Sequence, residues 1–141
     1  MKNIKTLADV TRIHAQEKGD ASALLSADDG REWTYAELDK QANLVANALV
    51  DAGIRPGDRI AYLDRNAPEY FIFLFGGAKV NAVSVAVNWR LANEEMEYIL
   101  NHSEATLLLI GEEYLPALRE MNLSAIESVV VIGDPGESGH P

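Results

Sequence analysis

Residues able to do chemistry are sparse in this chain, and their positions limit what they can do. Arg90 stands out. It follows the apolar alternation Val83, Val85, Val87 and precedes a helix start at Asn93, which puts it at the carboxyl rim of a sheet. A planar guanidinium there suits phosphate or carboxylate recognition, and it suits a solvent-exposed or capping role equally well. Trp89 beside it is either an exposed stacking surface or a core plug. Asp64 ends another apolar run, Ile60 to Leu63, where a phospho-acceptor aspartate would stand. That chemistry also needs further carboxylates for Mg²⁺ and a lysine and hydroxyl on later strands. The later strand ends offer only Glu112 and Glu113, and no lysine follows Lys79. A turn or cap role therefore fits Asp64 better.

Other chemistries fail on residue type or spacing. There are no cysteines, so disulfides, thiolate catalysis and zinc–thiolate sites are excluded. His14, His102 and His140 are far apart and share no metal or triad spacing, which makes surface or cap histidines the expectation. No G-x-S-x-G nucleophile elbow occurs. Asp28 and Asp29 precede Gly30, a turn context that favours a structural role for both. A phosphate-binding glycine loop needs its glycines between a strand and the next helix, where backbone N–H groups meet the phosphates. The connection here is Leu63-Asp64-Arg65-Asn66-Ala67, without glycine, while Gly76 and Gly77 lie inside a helix. Close packing of that helix against a neighbouring backbone explains them better than ligand binding.

The elements that must position these residues are legible from periodicity and punctuation. Residues 7–15 carry Leu7, Val10 and Ile13 at helical spacing. Asp29-Gly30 joins two short apolar runs into a hairpin over about 23–35, because glycine takes the positive φ that the turn requires. Thr34 and Glu37 form a capping box for a helix over about 35–52, with Leu38, Ala42, Val45, Ala46 and Leu49 on one face and Gly53 as its left-handed terminator. Residues 55–58, Arg-Pro-Gly-Asp, make a turn into a strand at 60–63. Asn66 is placed to cap a helix over about 67–80, apolar almost all round and hence expected to be buried, which Asn81 ends. A strand with Val83, Val85 and Val87 follows, then a helix capped by Asn93 with Met96, Ile99 and Leu100 facing inward. A strand at 106–110, a helix at 114–121 and a strand at 128–132 complete the pattern.

Four apolar runs alternating with helices predict an α/β fold. Its centre is a mostly parallel sheet of about four strands over residues 58–132, buried on both faces and flanked by helices. Residues 1–132 read as one α/β subdomain with an N-terminal helix and hairpin, and the Gly/Pro-rich tail 133–141 as linker or disorder. The 141 residues, 48% hydrophobic, suffice for a core that buries roughly two-thirds of the unfolded surface. A formal net charge of −10 with scattered acidic residues argues against a nucleic-acid partner. Residues 1–16 hold no apolar run of signal-peptide length, and no stretch approaches a membrane span, so a cytoplasmic protein is expected.

The order of local motifs then matters more than any one of them. WTYAEL (33–38), ALVDAGIRPGDRIA (48–61), NAPEY (66–70), AKVNAVSVAVNWRL (78–91) and EMEYIL (95–100) closely resemble, in order and spacing, the N-terminal part of AMP-forming acyl-CoA synthetases. These belong to the adenylate-forming superfamily. The resemblance covers roughly residues 5–132, and it departs from the family at Asn81, where glycine is usual, and at Ala86, where proline is usual.

The resemblance implies ATP-dependent activation of a carboxylic acid, fatty or otherwise, to an acyl-adenylate, followed by transfer to the thiol of coenzyme A. ATP, Mg²⁺ and coenzyme A are implied for a full-length enzyme and none is expected on these residues alone. It places Arg90, in the N-x-R-L stretch, near the coenzyme A phosphates. The family's Pro-Lys phosphate loop, adenine-binding motif, ribose-binding aspartate and catalytic lysine have no counterpart here, so no catalytic or metal-ligating residue is assigned and the chain is expected to be inactive alone. The alternatives are a free-standing flavodoxin-like binding or signalling module, or the start of an aryl-acid or amino-acid adenylating enzyme. An apolar face left exposed predicts a homo-oligomer.

Overall fold

The computed structural model describes residues 4–133. The tail beyond Gly133, with His140, lies outside them. The chain divides into two compact units, Met1–Asp58 with Asn66–Ser84 and Arg59–Arg65 with Val85–Pro141.

The first unit is built on helices α1 (Leu7–Lys18), α2 (Tyr35–Asp51) and α3 (Pro68–Lys79) with the antiparallel hairpin β1 (Ser22–Leu25) and β2 (Glu32–Thr34). Helix α1 runs a turn beyond the predicted 7–15, and its start is fixed by Asp9, whose carboxylate accepts from Thr6 N at 3.1 Å. The capping box of α2 forms as the sequence requires. Glu37 N donates to Thr34 Oγ1 at 3.2 Å and Thr34 N to Glu37 Oε2 at 2.9 Å. Leu38, Ala42, Ala46 and Leu49 are its buried face, and Gly53 ends it at φ 85°.

Gly76 of α3 is where α2 and α3 meet. A Cβ there would lie 2.5 Å from Val45 Cγ1 and 3.1 Å from the Ala42 carbonyl oxygen, so only glycine permits this approach. Between the three helices Asp39 Oδ1 accepts from Thr11 Oγ1 at 2.7 Å and from Lys79 Nζ at 2.8 Å. Asn81 adopts the left-handed conformation, φ 62°, as the sequence predicts for a helix terminator.

Two expectations for α3 change. Its N-cap is Ala67 (φ −135°, ψ 162°), not Asn66, because Pro68 at the first helical position forces the preceding residue to be extended. Nor is the helix buried all round. Pro68, Phe73, Gly76 and Gly77 are buried while Phe71 is exposed, its ring meeting Tyr70 edge-on at 5.3 Å.

The second unit holds the parallel sheet. Strands β4 (Val83–Ala86), β3 (Arg59–Leu63), β5 (Leu107–Gly111) and β6 (Ser128–Ile132) lie in that order, with β4 straddling the division between units. Ile60 pairs with Leu107 and Leu107 with Ser128, both in parallel register. Helix α4 (Asn93–Ser103), a 3₁₀ turn (Glu112–Tyr114) and α5 (Leu115–Glu120) connect the later strands.

Leu63, Leu100, Leu108 and Ile110 are wholly buried and, with Met96 and Tyr114, form the core. The start of α4 corrects the sequence reading. Ala92 is the N-cap, its N–H donating to Glu95 Oε2 at 2.9 Å, and Asn93 instead donates from Nδ2 to Glu120 Oε2 at 2.7 Å. Strand β6 corrects it further. Val129, Val130 and Val131 are exposed, and so is Val83 of β4, these being the two edge strands of the sheet, each with a hydrogen-bonded neighbour on one side only.

Candidate functional site

The carboxyl edge of the sheet in the second unit gathers the residues with chemical capacity. Three strand exits converge there: Asp64-Arg65 after β3, Asn88-Trp89-Arg90 after β4, and Gly111-Glu112-Glu113-Tyr114 at the end of β5. The β4 exit is pinned to β3 where Val87 N donates to the Tyr62 carbonyl at 2.9 Å. The next turn is set by Asn88, whose Oδ1 accepts from Arg90 N at 3.0 Å, a side-chain bond to the backbone two residues on.

Trp89 is both of the things the sequence left open. It is half-buried and packs against the core, with its ring centroid 6.3 Å from that of buried Tyr114. It is also a stacking surface for two guanidiniums. Arg90 Cζ lies 4.1 Å and Arg65 Cζ 5.2 Å from the indole centroid. A π-face attracts cations electrostatically, so one indole gathers two positive charges at the sheet rim.

The two arginines differ in what else they hold. Arg65 Nη2 reaches Glu113 Oε1 at 2.6 Å and its Nε lies 3.4 Å from Tyr114 Oη. The Tyr114 hydroxyl first, then the Glu113 carboxylate, raise its pKa above the ordinary arginine value. Tyr62 Oη donates to the Arg65 carbonyl at 2.9 Å and fixes the backbone beneath it. Arg90 is exposed and forms no ion pair among the described residues. Its guanidinium is braced on the Trp89 ring, and no hydrogen bond from its N–H donors forms among the described residues.

Asp64 behaves as the turn residue the sequence reading favoured. Its Oδ1 accepts from Arg65 N at 2.7 Å, and its carboxylate occupies the space a side chain at Gly111 would fill, 2.5 Å from an ideal Cβ. Glycine at the end of β5 therefore serves to admit this carboxylate.

The other sequence candidates fall outside this cluster. Asp29 accepts from Arg31 N at 3.0 Å and Arg31 Nε at 2.6 Å. Its pKa drops to about 2 through the Ser26 hydroxyl first and then these bonds, a turn role as expected. His102 is exposed and stacks on Tyr98 at 5.3 Å, whereas His14 departs from the surface expectation. It is half-buried against Tyr35, ring to ring at 5.0 Å, and its Nδ1 is buried without a hydrogen-bond partner. Arg65, Glu113 and Tyr114 carry the rim cluster with Arg90, yet only Arg90 was singled out from sequence. The available signal for Arg65 was the one used for Arg90, an arginine just past a strand end.

Comparison with known proteins bears on this geometry. The family model described as AMP-binding enzyme matches residues 11–139. A fatty acid–[acyl-carrier-protein] ligase, ScoC, of Streptomyces coeruleorubidus is 39% identical over 131 residues, 93% of this chain and 25% of the relative. A crotonobetaine/carnitine–CoA ligase of Salmonella paratyphi B is 36% identical over 77% of this chain and 22% of its own length. Among solved structures, the anthranilate CoA ligase AuaEII in complex with anthranoyl-AMP superposes with a TM-score of 0.85 at 30% identity, over 94% of this chain and 26% of that one. The chain thus spans about a quarter of the length of these proteins.

Proposed function

The chain belongs to the AMP-binding enzyme family, and from that membership we propose that it forms the N-terminal portion of an ATP-dependent acid–thiol ligase. Such an enzyme joins a carboxylic acid to AMP and then passes the acyl group to a thiol. The acid is a fatty or other medium to long carboxylic acid in this reading, supported by the fatty-acid relative at 39% identity. A cytoplasmic location belongs to the same reading, and no described helix is long and apolar enough to cross a membrane.

The observation that carries the reading is the family match across residues 11–139 together with an exposed guanidinium at the sheet's carboxyl edge that forms no ion pair among the described residues. Coenzyme A, when bound, supplies the acceptor thiol. The residues present fit its phosphates: Arg90 offers donors in a fork, Trp89 braces it, and the Asn88 bond to Arg90 N sets the turn that carries it. The residues do not fit the ATP triphosphate. The β3–α3 connection has no glycine, and its first residue presents a carboxylate. No step through ATP or Mg²⁺ is therefore assigned to this chain. A second acceptor, the phosphopantetheine thiol of a carrier protein, is favoured by one observation, that ScoC is an acyl-carrier-protein ligase.

Acid-dependent ATP–pyrophosphate exchange tests the reading. The chain alone is expected to give none, and the full-length product of its gene to exchange with a fatty acid. Exchange by the 141 residues themselves would refute the division of labour. Self-association is part of the same proposal, supported by the exposed Val129, Val130 and Val131 of β6. Light scattering should return a dimer or larger species, and a monomer at high concentration removes this element.

A further inference from the structure

The phosphate reading of Arg90 leaves Arg65 unexplained. It shares the Trp89 ring with Arg90, yet it is turned toward Glu113 at 2.6 Å. Both members of that ion pair are 59% exposed. Exposed pairs of this kind are weak, because water screens the attraction and two long side chains lose freedom in making it. Core packing does not require Arg65 to hold Glu113: Tyr114, the buried member of the trio, is fixed by its own burial. The pair is therefore an exchangeable contact on the same indole as a guanidinium that forms no ion pair among the described residues.

We propose that Arg65 is the second cation of the Arg90 anion site and that Glu113 is its internal competitor, occupying Arg65 until a phosphate displaces it. The proposal rests on the reading of Arg90 as a phosphate contact and adds to it a positioning residue and a built-in rival. The ligand class follows from the charge count. Two guanidiniums braced on one indole favour a doubly charged phosphate monoester over a singly charged carboxylate, since each added unit of charge is met by a separate donor fork. Glu113 cancels one of the two positive charges when the site is empty. It sets a threshold that weakly charged anions fail to cross, which is specificity by a repulsive element as well as an attractive one. Glu112, Glu113 and Asp64 are the carboxylates of the same strand ends. Asp64 accepts from Arg65 N and lies against Gly111, while Glu113 is the carboxylate that ion-pairs with the Arg65 guanidinium.

The test uses the intact 141-residue chain carrying Trp33→Phe, so that Trp89 is the sole indole reporting on the site. Its fluorescence is followed while adenosine 3′,5′-bisphosphate, inorganic phosphate, acetate and phosphate-free adenosine are added in turn. The bisphosphate is expected to bind and adenosine and acetate to leave the signal unchanged. Arg90→Gln should weaken binding at least about ten-fold and Arg65→Gln about three- to ten-fold, with Arg65→Lys restoring only part of the loss, because lysine keeps the charge but not the fork. Glu113→Gln should strengthen binding about two- to five-fold, the size of the exposed ion pair it removes. A purely structural role for the pair does not produce that gain.

Loss in Arg90→Gln with no change in Arg65→Gln and Glu113→Gln overturns the two-cation site and leaves the Arg90 reading standing. No change in Arg90→Gln removes the reading itself and the proposal with it. Weaker binding in Glu113→Gln overturns the competitor role. Thermal melts of each variant separate a binding loss from a folding loss.

Discussion

Two ion pairs of nearly equal length sit in the two units of this protein. Lys79–Asp39 spans 2.8 Å with the side chains 13% and 17% exposed. Arg65–Glu113 spans 2.6 Å with both 59% exposed. The difference in solvent decides what each does. In the helical unit the carboxylate of Asp39 also accepts from Thr11, a fully buried hydroxyl, so three helices share one polar knot. Removing a partner there strands a desolvated charge. At the sheet rim water replaces whatever partner leaves, so the contact is free to be exchanged. One pair holds the fold, and the other leaves a cation available.

The largest effect expected from this comparison is on stability. Lys79→Met should lower the unfolding free energy by about 2–4 kcal/mol, near the usual cost of breaking a buried pair and somewhat less because neither group is fully enclosed. Arg65→Gln should leave it nearly unchanged. Urea denaturation of both variants measures the contrast, and equal losses would break it. The pH dependence follows the same line. Burial alone raises the Asp39 pKa, but the Lys79 and Thr11 hydrogen bonds outweigh it and the net shift is downward from 3.8. A depressed carboxylate stabilises the fold above its unfolded pKa, so this contribution is intact above about pH 4 and is lost as pH falls further. Lys79→Met should flatten the acid limb of the stability curve, and Arg65→Gln should not.

A smaller effect separates two glycines, one in each unit. Gly76→Ala sets a methyl 2.5 Å from a branched Val45 and 3.1 Å from a backbone carbonyl, atoms with little room to give. Overpacking of this kind costs about 1–3 kcal/mol, of which roughly 1 kcal/mol is recovered from the better helix propensity of alanine. The net loss should be up to about 2 kcal/mol. Gly111→Ala meets the Asp64 carboxylate first, the end of a side chain able to rotate away. Its thermal midpoint should fall by less than that of Gly76→Ala, with the cost appearing in the order of the β3 exit. Calorimetry on the two variants ranks them, and a larger drop for Gly111→Ala would reverse the account.

Strands β5 and β6 show how far the sequence reaches. Leu107 to Gly111 and Ser128 to Ile132 are both continuous apolar runs, and the pattern rightly makes each a strand of a parallel sheet. It also makes both buried, and only β5 is. The run fixes strand type because apolar side chains leave water, but whether a strand is central or at an edge depends on neighbours the run does not contain. Caps divide in the same way. Thr34 with Glu37 is legible because donor and acceptor are three residues apart. Asn66 and Asn93 have the right chemistry but lose the cap position, the first to the φ constraint of Pro68 and the second to Glu95 closing on Ala92.

For the rim site, Arg90 was readable from a strand end followed by a helix start. Arg65 was not distinguished, because what sets it apart lies on other strands: Trp89 after β4, and Glu113 and Tyr114 after β5.

By itself, the sequence determined the α/β class, the order of elements, the hairpin, the capping of α2, the glycine and asparagine terminators and the family. Each of these rests on periodicity or on groups a few residues apart along one chain, where local geometry leaves few choices. Only the tertiary structure decided which strands are exposed, which ion pair is enclosed and that two arginines share one indole. Those outcomes depend on distances between segments remote in sequence, and on the water excluded when they meet, which no local pattern encodes.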